Sequence, residues 1–215
     1  MKGPKAPRLP TAPPSYTVGR FDDVEADTRL EALDFDHDDA AGLDLSDVTF
    51  TECRFRHVSL HEADLKSATF AESSLADINA PVFSAPHSSW WNTAVENARV
   101  GSGELYDSVF RSVTFTGGKL DYLNFRYAKL TDVLFSGCII DELDFSHAKL
   151  VRVAFEDCRI GTLHASGAAM QGVDLRANEL NRIVSLAGLK GASIDEYQLQ
   201  LLAPALAQEL GINVD

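Results

Sequence analysis

Apolar residues recur at every fifth position over most of this chain. From Leu45 the series runs Phe50, Phe55, Leu60, Leu65, Phe70 and Leu75, and it returns in the same phase at Trp90 and continues to Leu180. Of its 28 positions, 25 are large and apolar, and the exceptions are Ala80, Ala85 and Ala165. A second column lies two residues earlier, with Leu43, Val48, Cys53, Val58, Ala63 and Ala68, and later Val133, Cys138, Leu143, Ala148, Val153 and Cys158. Neither column holds a charged residue, although charged residues make up 24% of the chain. A helix needs apolar spacing near 3.6 and a strand needs 2, so a sustained period of five fits neither. It fits a chain that turns a corner every five residues and points two of each five inward. Such a unit cannot bury its apolar face alone and must stack on its neighbours, which makes a solenoid.

The units Ala63-Asp64-Leu65-Lys66-Ser67, Ala128-Lys129-Leu130-Thr131-Asp132 and Ala148-Lys149-Leu150-Val151-Arg152 resemble the A-(D/N)-L-x-x unit of the pentapeptide-repeat family. The resemblance covers about two thirds of the chain. It implies an all-β solenoid, a right-handed quadrilateral parallel β-helix with four units per twenty-residue coil. On that basis the 28 units make about seven coils, and at roughly 4.8 Å per rung the body is about 34 Å long. A twenty-residue coil also predicts interior ladders. One reads Phe50, Phe70, Trp90, Phe110, Leu130, Leu150, Met170, and the other Phe55, Leu75, Val95, Phe115, Phe135, Phe155, Leu175. Aromatic ladders of this kind are ordinary core packing rather than a cofactor box.

The flanks differ from the body. Residues 1–15 hold five of the eight prolines and are expected to form a disordered or extended arm. Residues 16–42 are assigned to an N-terminal cap, residues 43–194 to the repeat body, and residues 195–215 to a C-terminal helical cap. Within the body, Ala80–Ser89 is a weak patch with two prolines, and Phe83 stands in a slot that is mostly small elsewhere. Either one side bulges there without insertion, or a loop of five or ten residues leaves the body. Trp90 is expected inward and Trp91 outward, where it either anchors a partner or packs over the bulge.

After Leu180 the phase slips by one. Asp195 with Gln198 reads as a capping box opening a helix. Leu199, Leu202, Leu206 and Leu210 fall on one helical face, Gly211 is a stop, and Pro204 is expected to kink or divide the helix. The apolar side should cover the open last coil, and Leu201 with Ala205 could join two molecules about a two-fold axis.

The formal charge of −13 is uneven. Residues 1–20 carry four bases and no acid, whereas residues 21–47 carry eleven acids against Arg29 alone. Such a surface repels nucleic acid and suits sites that normally bind it. No apolar run is long enough to span a membrane and no secretory leader is evident, so a cytoplasmic location is expected. Cys53, Cys138 and Cys158 all lie in the small inward column. Cys138 and Cys158 stack on adjacent coils, but side chains on stacked parallel strands point the same way, which favours buried free thiols.

No catalytic constellation emerges, and neither a cofactor nor a metal is expected. The histidines at 37, 57, 61, 87, 147 and 164 share no metal spacing, and the pair His57 and His61 lies in a strand-and-corner repeat where i and i+4 do not share a face. The outward acids Glu52, Glu72 and Asp132 fall in one twenty-residue column, interrupted by Asn92, Ser112 and Arg152. The chain resembles the dimeric, DNA-mimicking pentapeptide-repeat members that confer fluoroquinolone resistance. That implies a non-enzymatic acidic rod, a homodimer joined at its C-terminal end and bound to a topoisomerase such as DNA gyrase. The alternative is a structural or adaptor protein that docks another protein on a β-helix face, with Trp91 as its anchor.

Overall fold

A computed structural model describes residues 15–209 and 211–213 of the chain. The backbone winds into a parallel β-helix in which each residue of one coil sits over the residue twenty positions earlier. Phe50 pairs with Phe70, Phe70 with Trp90, Trp90 with Phe110, and Phe110 with Leu130. On the next side, Phe115 pairs with Phe135 and Phe135 with Phe155. These two sides merge where eight-residue strands such as Ser89–Glu96 and Val109–Thr116 turn the corner between them. A third side carries a separate six-stranded sheet, from Asn79–Ser84 to Glu179–Val184. The fourth is built mainly of turns.

The coil count is about nine rather than seven. One continuous side runs through Val18, Asp34, Arg54, Ser74, Ala94, Thr114, Leu134, Ala154, Asp174 and Ser193. Its nine steps of roughly 4.8 Å give a body about 43 Å long. One extra rung, through Leu30 and Phe35, keeps the full twenty-residue step ahead of the counted series, and the outermost steps are short. Val18 pairs with Asp34, sixteen positions on, and Asp174 pairs with Ser193, nineteen positions on. The one-residue loss near the C-terminus falls at a 3-10 turn, Leu186–Leu189. Gly188 makes that turn possible, since a Cβ there would sit 1.8 Å from the carbonyl oxygen of Ala165.

The N-terminal end is closed by Phe21, whose ring is buried and stacks on Phe35 at 4.3 Å between centroids. Inside, Phe50, Phe55, Phe70, Phe110, Phe135 and Phe155 are all buried, and Trp90 is buried with its indole N–H donated to Ser88 Oγ at 2.8 Å. That bond satisfies the one polar atom the ring brings into the core.

No loop leaves the body at 81–89, because the register of the coils before and after is unbroken. The corner itself changes. From Asp47 to Asp77 every fifth residue is left-handed, with φ between 49° and 59°. At Val82 and each twentieth residue after it the chain instead runs extended through the strands of the third side. Pro81 falls at the step the pairing skips, between the pairs Ala80–Val100 and Val82–Ser102, so its missing N–H costs the ladder nothing. The extended corner leaves a wider interior, filled by Phe83, Leu123, Leu143 and Leu163 where Ala63 sufficed before. Gly103 supplies no side chain to this column, and an apolar cavity of about 30 Å³ remains, lined by Phe83, Val95, Phe115 and Leu123 among others.

At the C-terminus, Asp195 and Gln198 form the reciprocal capping box. The Gln198 amide N–H donates to Asp195 Oδ1 at 2.9 Å, and the Asp195 amide N–H donates to Gln198 Oε1 at 3.0 Å. A single helix, Glu196–Glu209, then continues through Pro204, so the proline does not divide it. Gln198 is its buried residue, and its side-chain NH2 donates to the carbonyls of Leu175 and Asn178 at 2.7 and 2.9 Å.

Candidate functional site

The expected acid column exists but is not a continuous negative stripe. Glu52, Glu72 and Asp132 stand at left-handed corners, with φ of 53°, 49° and 55°. The Asn92 side chain donates to the Glu72 carboxylate from the next rung. Arg152 clasps Asp132 from the rung above with two bonds of 2.6 and 2.7 Å. Glu52 is half-buried.

A more extended run of acids lies on another side. The ladder Asp44, Asp64, Ser84, Glu104, Asn124, Asp144, His164 is in register throughout. Asn124 supports its neighbour rather than opposing it, since its amide donates to Glu104 at 2.6 Å. The local turns do the same, with amide N–H groups donating to Asp44 from Ser46, to Asp64 from Lys66 and to Asp144 from Ser146. Exposed Glu142 extends the run sideways. The Tyr122 phenol between these groups is pushed above its ordinary range, first by burial and then by Asp144, Glu104 and Glu142. Two basic side chains reach the run, His164 with its Nε2 2.8 Å from Glu142 and Arg126 with its Nε 3.7 Å from Asp144. The sequence signal for this ladder is the same twenty-residue spacing, displaced by eight positions from the column of Glu52, Glu72 and Asp132.

Trp91 projects from the flat first side with 52% of its surface exposed, between Ala71 and Arg111 on the neighbouring rungs. It does not pack over a bulge. At the C-terminal end, Leu199 and Leu201 are exposed and Leu202 and Leu206 half-buried, while Leu210 lies outside the described residues, as does most of the 1–15 arm. The helix therefore covers the last coil less than its apolar positions implied. Tyr197 and Ile212 add to the apolar surface left open there.

All three cysteines are free and buried. Burial pushes the Cys53 thiol up to about 11, and Cys138 is raised by its neighbour Cys158 first and then by burial. Cys158 is instead lowered to about 7, first by the hydrogen bond from Cys138 and against its own burial. Among the described residues, the group able to hold a metal ion is Asp36, His37 and His57. Among the described residues, no helix is long and apolar enough to cross a membrane.

A family model described as a pentapeptide repeat region matches residues 92–184, and one for eight-copy pentapeptide repeats matches residues 42–79. Together they cover more than half of the chain. The chain belongs to the pentapeptide-repeat family. No curated protein sequence matches this pentapeptide-repeat protein. Among solved structures it is similar to a trypsin-treated form of QnrB1, a plasmid-mediated fluoroquinolone resistance protein, at 22% identity over 88% of this chain and 91% of that one, with a TM-score of 0.49. It is also similar to full-length QnrB1, at 20% identity over 88% of this chain and 94% of that one, with a TM-score of 0.33. HetL, a pentapeptide-repeat protein involved in heterocyst differentiation regulation from the cyanobacterium Nostoc, aligns at 17% identity over 80% of this chain and 92% of that one, with a TM-score of 0.34.

Proposed function

We propose that this pentapeptide-repeat protein is a non-enzymatic binding protein. Two acidic rods, joined through their C-terminal helices, take the place of B-form DNA on the basic surface of a topoisomerase such as DNA gyrase. The carboxylates of exposed Asp44 and Asp64 and half-buried Glu104 carry the proposal, because they stand along one straight side at one- and two-rung steps, with buried Asp144 two rungs further on. Two rungs are about 9.6 Å. A net charge of −13 over a body of about 43 Å gives one charge per roughly 3.3 Å, against one per about 1.7 Å of duplex. The rod thus has about half the line charge of DNA, in a particle that does not bend. Exposed Leu199 and Leu201 beside Tyr197 support pairing with a second copy at that end.

The test is a supercoiling assay with purified gyrase and the full chain. Inhibition at micromolar protein is expected, weakening steeply with salt and weakened further by Asp64→Lys with Glu104→Lys. No inhibition at micromolar protein rejects the proposal. A second possibility rests on Trp91, an exposed aromatic on a flat side, which suits an adaptor that docks another protein. Recovery of a partner other than a topoisomerase, lost in Trp91→Ala, would favour it.

A further inference from the structure

We propose that Asp36, His37 and His57 form an open binding site for a divalent transition-metal cation of the zinc class. The coil creates the site, since His37 and His57 are twenty residues apart and so occupy the same corner of successive rungs. Their imidazoles stack with centroids 4.3 Å apart and planes 24° apart. Asp36 Oδ1 lies 2.8 Å from His37 Nδ1 and 3.4 Å from His57 Nδ1. One ring nitrogen of each histidine and one carboxylate oxygen all lie within 4.8 Å of one another.

That spacing suits a small cation. Tetrahedral zinc holds nitrogen and oxygen ligands at about 2.0–2.2 Å, which puts donor atoms about 3.3–3.5 Å apart. The two separations from Asp36 bracket the lower end of this range. The ligands are also held in place from behind. The His37 and His57 amides donate to the carbonyls of Arg56 and Ala76 at 2.9 and 3.1 Å, and both residues are fixed at left-handed corners. A rigid backbone that presents ligands already gathered has little ordering left to do on binding.

His57 Nε2, the nitrogen turned away from Asp36, lies 3.9 Å from Asp77 Oδ2, beyond hydrogen-bond reach in this structure but near enough for Asp77 to become an outer-shell partner of a metal-bound imidazole. Arg56 binds the other oxygen of Asp36 at 2.8 Å, leaving Oδ1 as the ligand oxygen. Arg56 and Arg54 set positive charge near the site, but Asp34, Asp36 and Asp77 outnumber them. Two imidazoles select zinc, nickel or copper over magnesium or calcium, which take all-oxygen shells. With the side chains of His37 and His57 71% and 48% exposed, coordination positions remain open to water or to a donor from a partner.

The experiment is calorimetric titration of the chelator-treated full chain with Zn2+, and with Mg2+ for comparison. One zinc per chain is expected, with no heat from magnesium. His37→Asn and His57→Asn should each weaken zinc at least about ten-fold, and Asp77→Asn by about ten-fold, as loss of an outer-shell partner does. Asparagine is chosen because it tolerates the left-handed corner. His147→Asn, remote from the site, should bind zinc like the parent. Histidine NMR signals of the unmodified chain give a readout that needs no variant, since zinc should shift His37 and His57 before the other four. Absence of zinc binding at submillimolar metal, equal affinity in both histidine variants, or first response at another histidine would each overturn the proposal.

Discussion

Phe115 and Phe135 lie face to face, with ring planes 6° apart and centroids 4.7 Å apart, because they occupy the same station of successive coils. Phe155 repeats the relation one rung on, at 4.8 Å and 6° from Phe135. The middle ring therefore has an aromatic neighbour above and below, and Phe125 meets it edge-on at 6.2 Å. Phe135→Ala removes all three contacts and leaves a void between rungs that cannot close, since the backbone spacing is fixed by the ladder bonds. A loss of about 3–5 kcal/mol in urea unfolding is expected, more than for Phe115→Ala, whose ring sits beside the existing cavity.

That cavity offers the opposite experiment. Its volume of about 30 Å³ is close to that of one methylene, and its walls are apolar, so it stays dry. Val95 lines it, beneath Phe115. Val95→Ile keeps the β-branch favoured in a strand and adds one methylene toward the gap. The variant should be more stable by up to about 0.8 kcal/mol, read as a raised urea midpoint with unchanged slope. A lowered midpoint would mean that the cavity lies out of reach of the added carbon.

The interior was legible in the sequence because a solenoid repeats its neighbours. Once the coil is twenty residues long, Phe50 must meet Phe70, and no distant segment intervenes. The ends were less legible for the same reason. The short steps from Val18 to Asp34 and from Asp174 to Ser193 break the period that revealed the rest. The change of corner at Val82 left only an indirect trace, a phenylalanine at Phe83 where alanine was expected. Surface chemistry was harder still. Columns spaced by twenty residues are numerous, and those through Asp44 and through His37 look no different from others until side-chain positions are known. How far the final helix covers the last coil depends on the amide of Gln198, which clamps the first turn and leaves Leu199 and Leu201 outward.

The first rungs should be sensitive to acid. Asp34 is held below its ordinary carboxylate range by the hydrogen bond from Arg54, against burial, and then by the bond from Arg56. A carboxylate with a folded value below its unfolded value stabilises the fold above the unfolded value of about 3.8 and loses that contribution as pH falls through the folded value. Hydrogen exchange at Phe35 and Phe55 should therefore accelerate as pH drops below about 4, after correction for intrinsic rates. Asp34→Asn should show faster exchange already at neutral pH and a flatter acid response. Identical acid profiles for the two proteins would exclude Asp34 as the group responsible.

The C-terminal helix caps the last coil and, under the proposed function, also joins two copies, and the two roles are separable. Gln198 is buried and joins the helix to the carbonyls of Leu175 and Asn178, whereas Leu199 and Leu201 face outward. Gln198→Ala removes both donors and half of the capping box, taking the shorter bond from the Leu175 carbonyl, which keeps only the Asn178 side chain at 3.2 Å, and the Gln198 bond from the Asn178 carbonyl, at a cost of about 1–3 kcal/mol. The helix should detach before the solenoid melts, seen as early loss of the helical signal in circular dichroism. Leu199→Arg with Leu201→Arg leaves those bonds intact and should keep the melting curve of the isolated chain. Pairing through this end would then be lost, and sedimentation would report a monomer in place of a dimer. A dimer that survives the two arginines but not Gln198→Ala would place the contact on the open last coil instead of on the outer face of the helix.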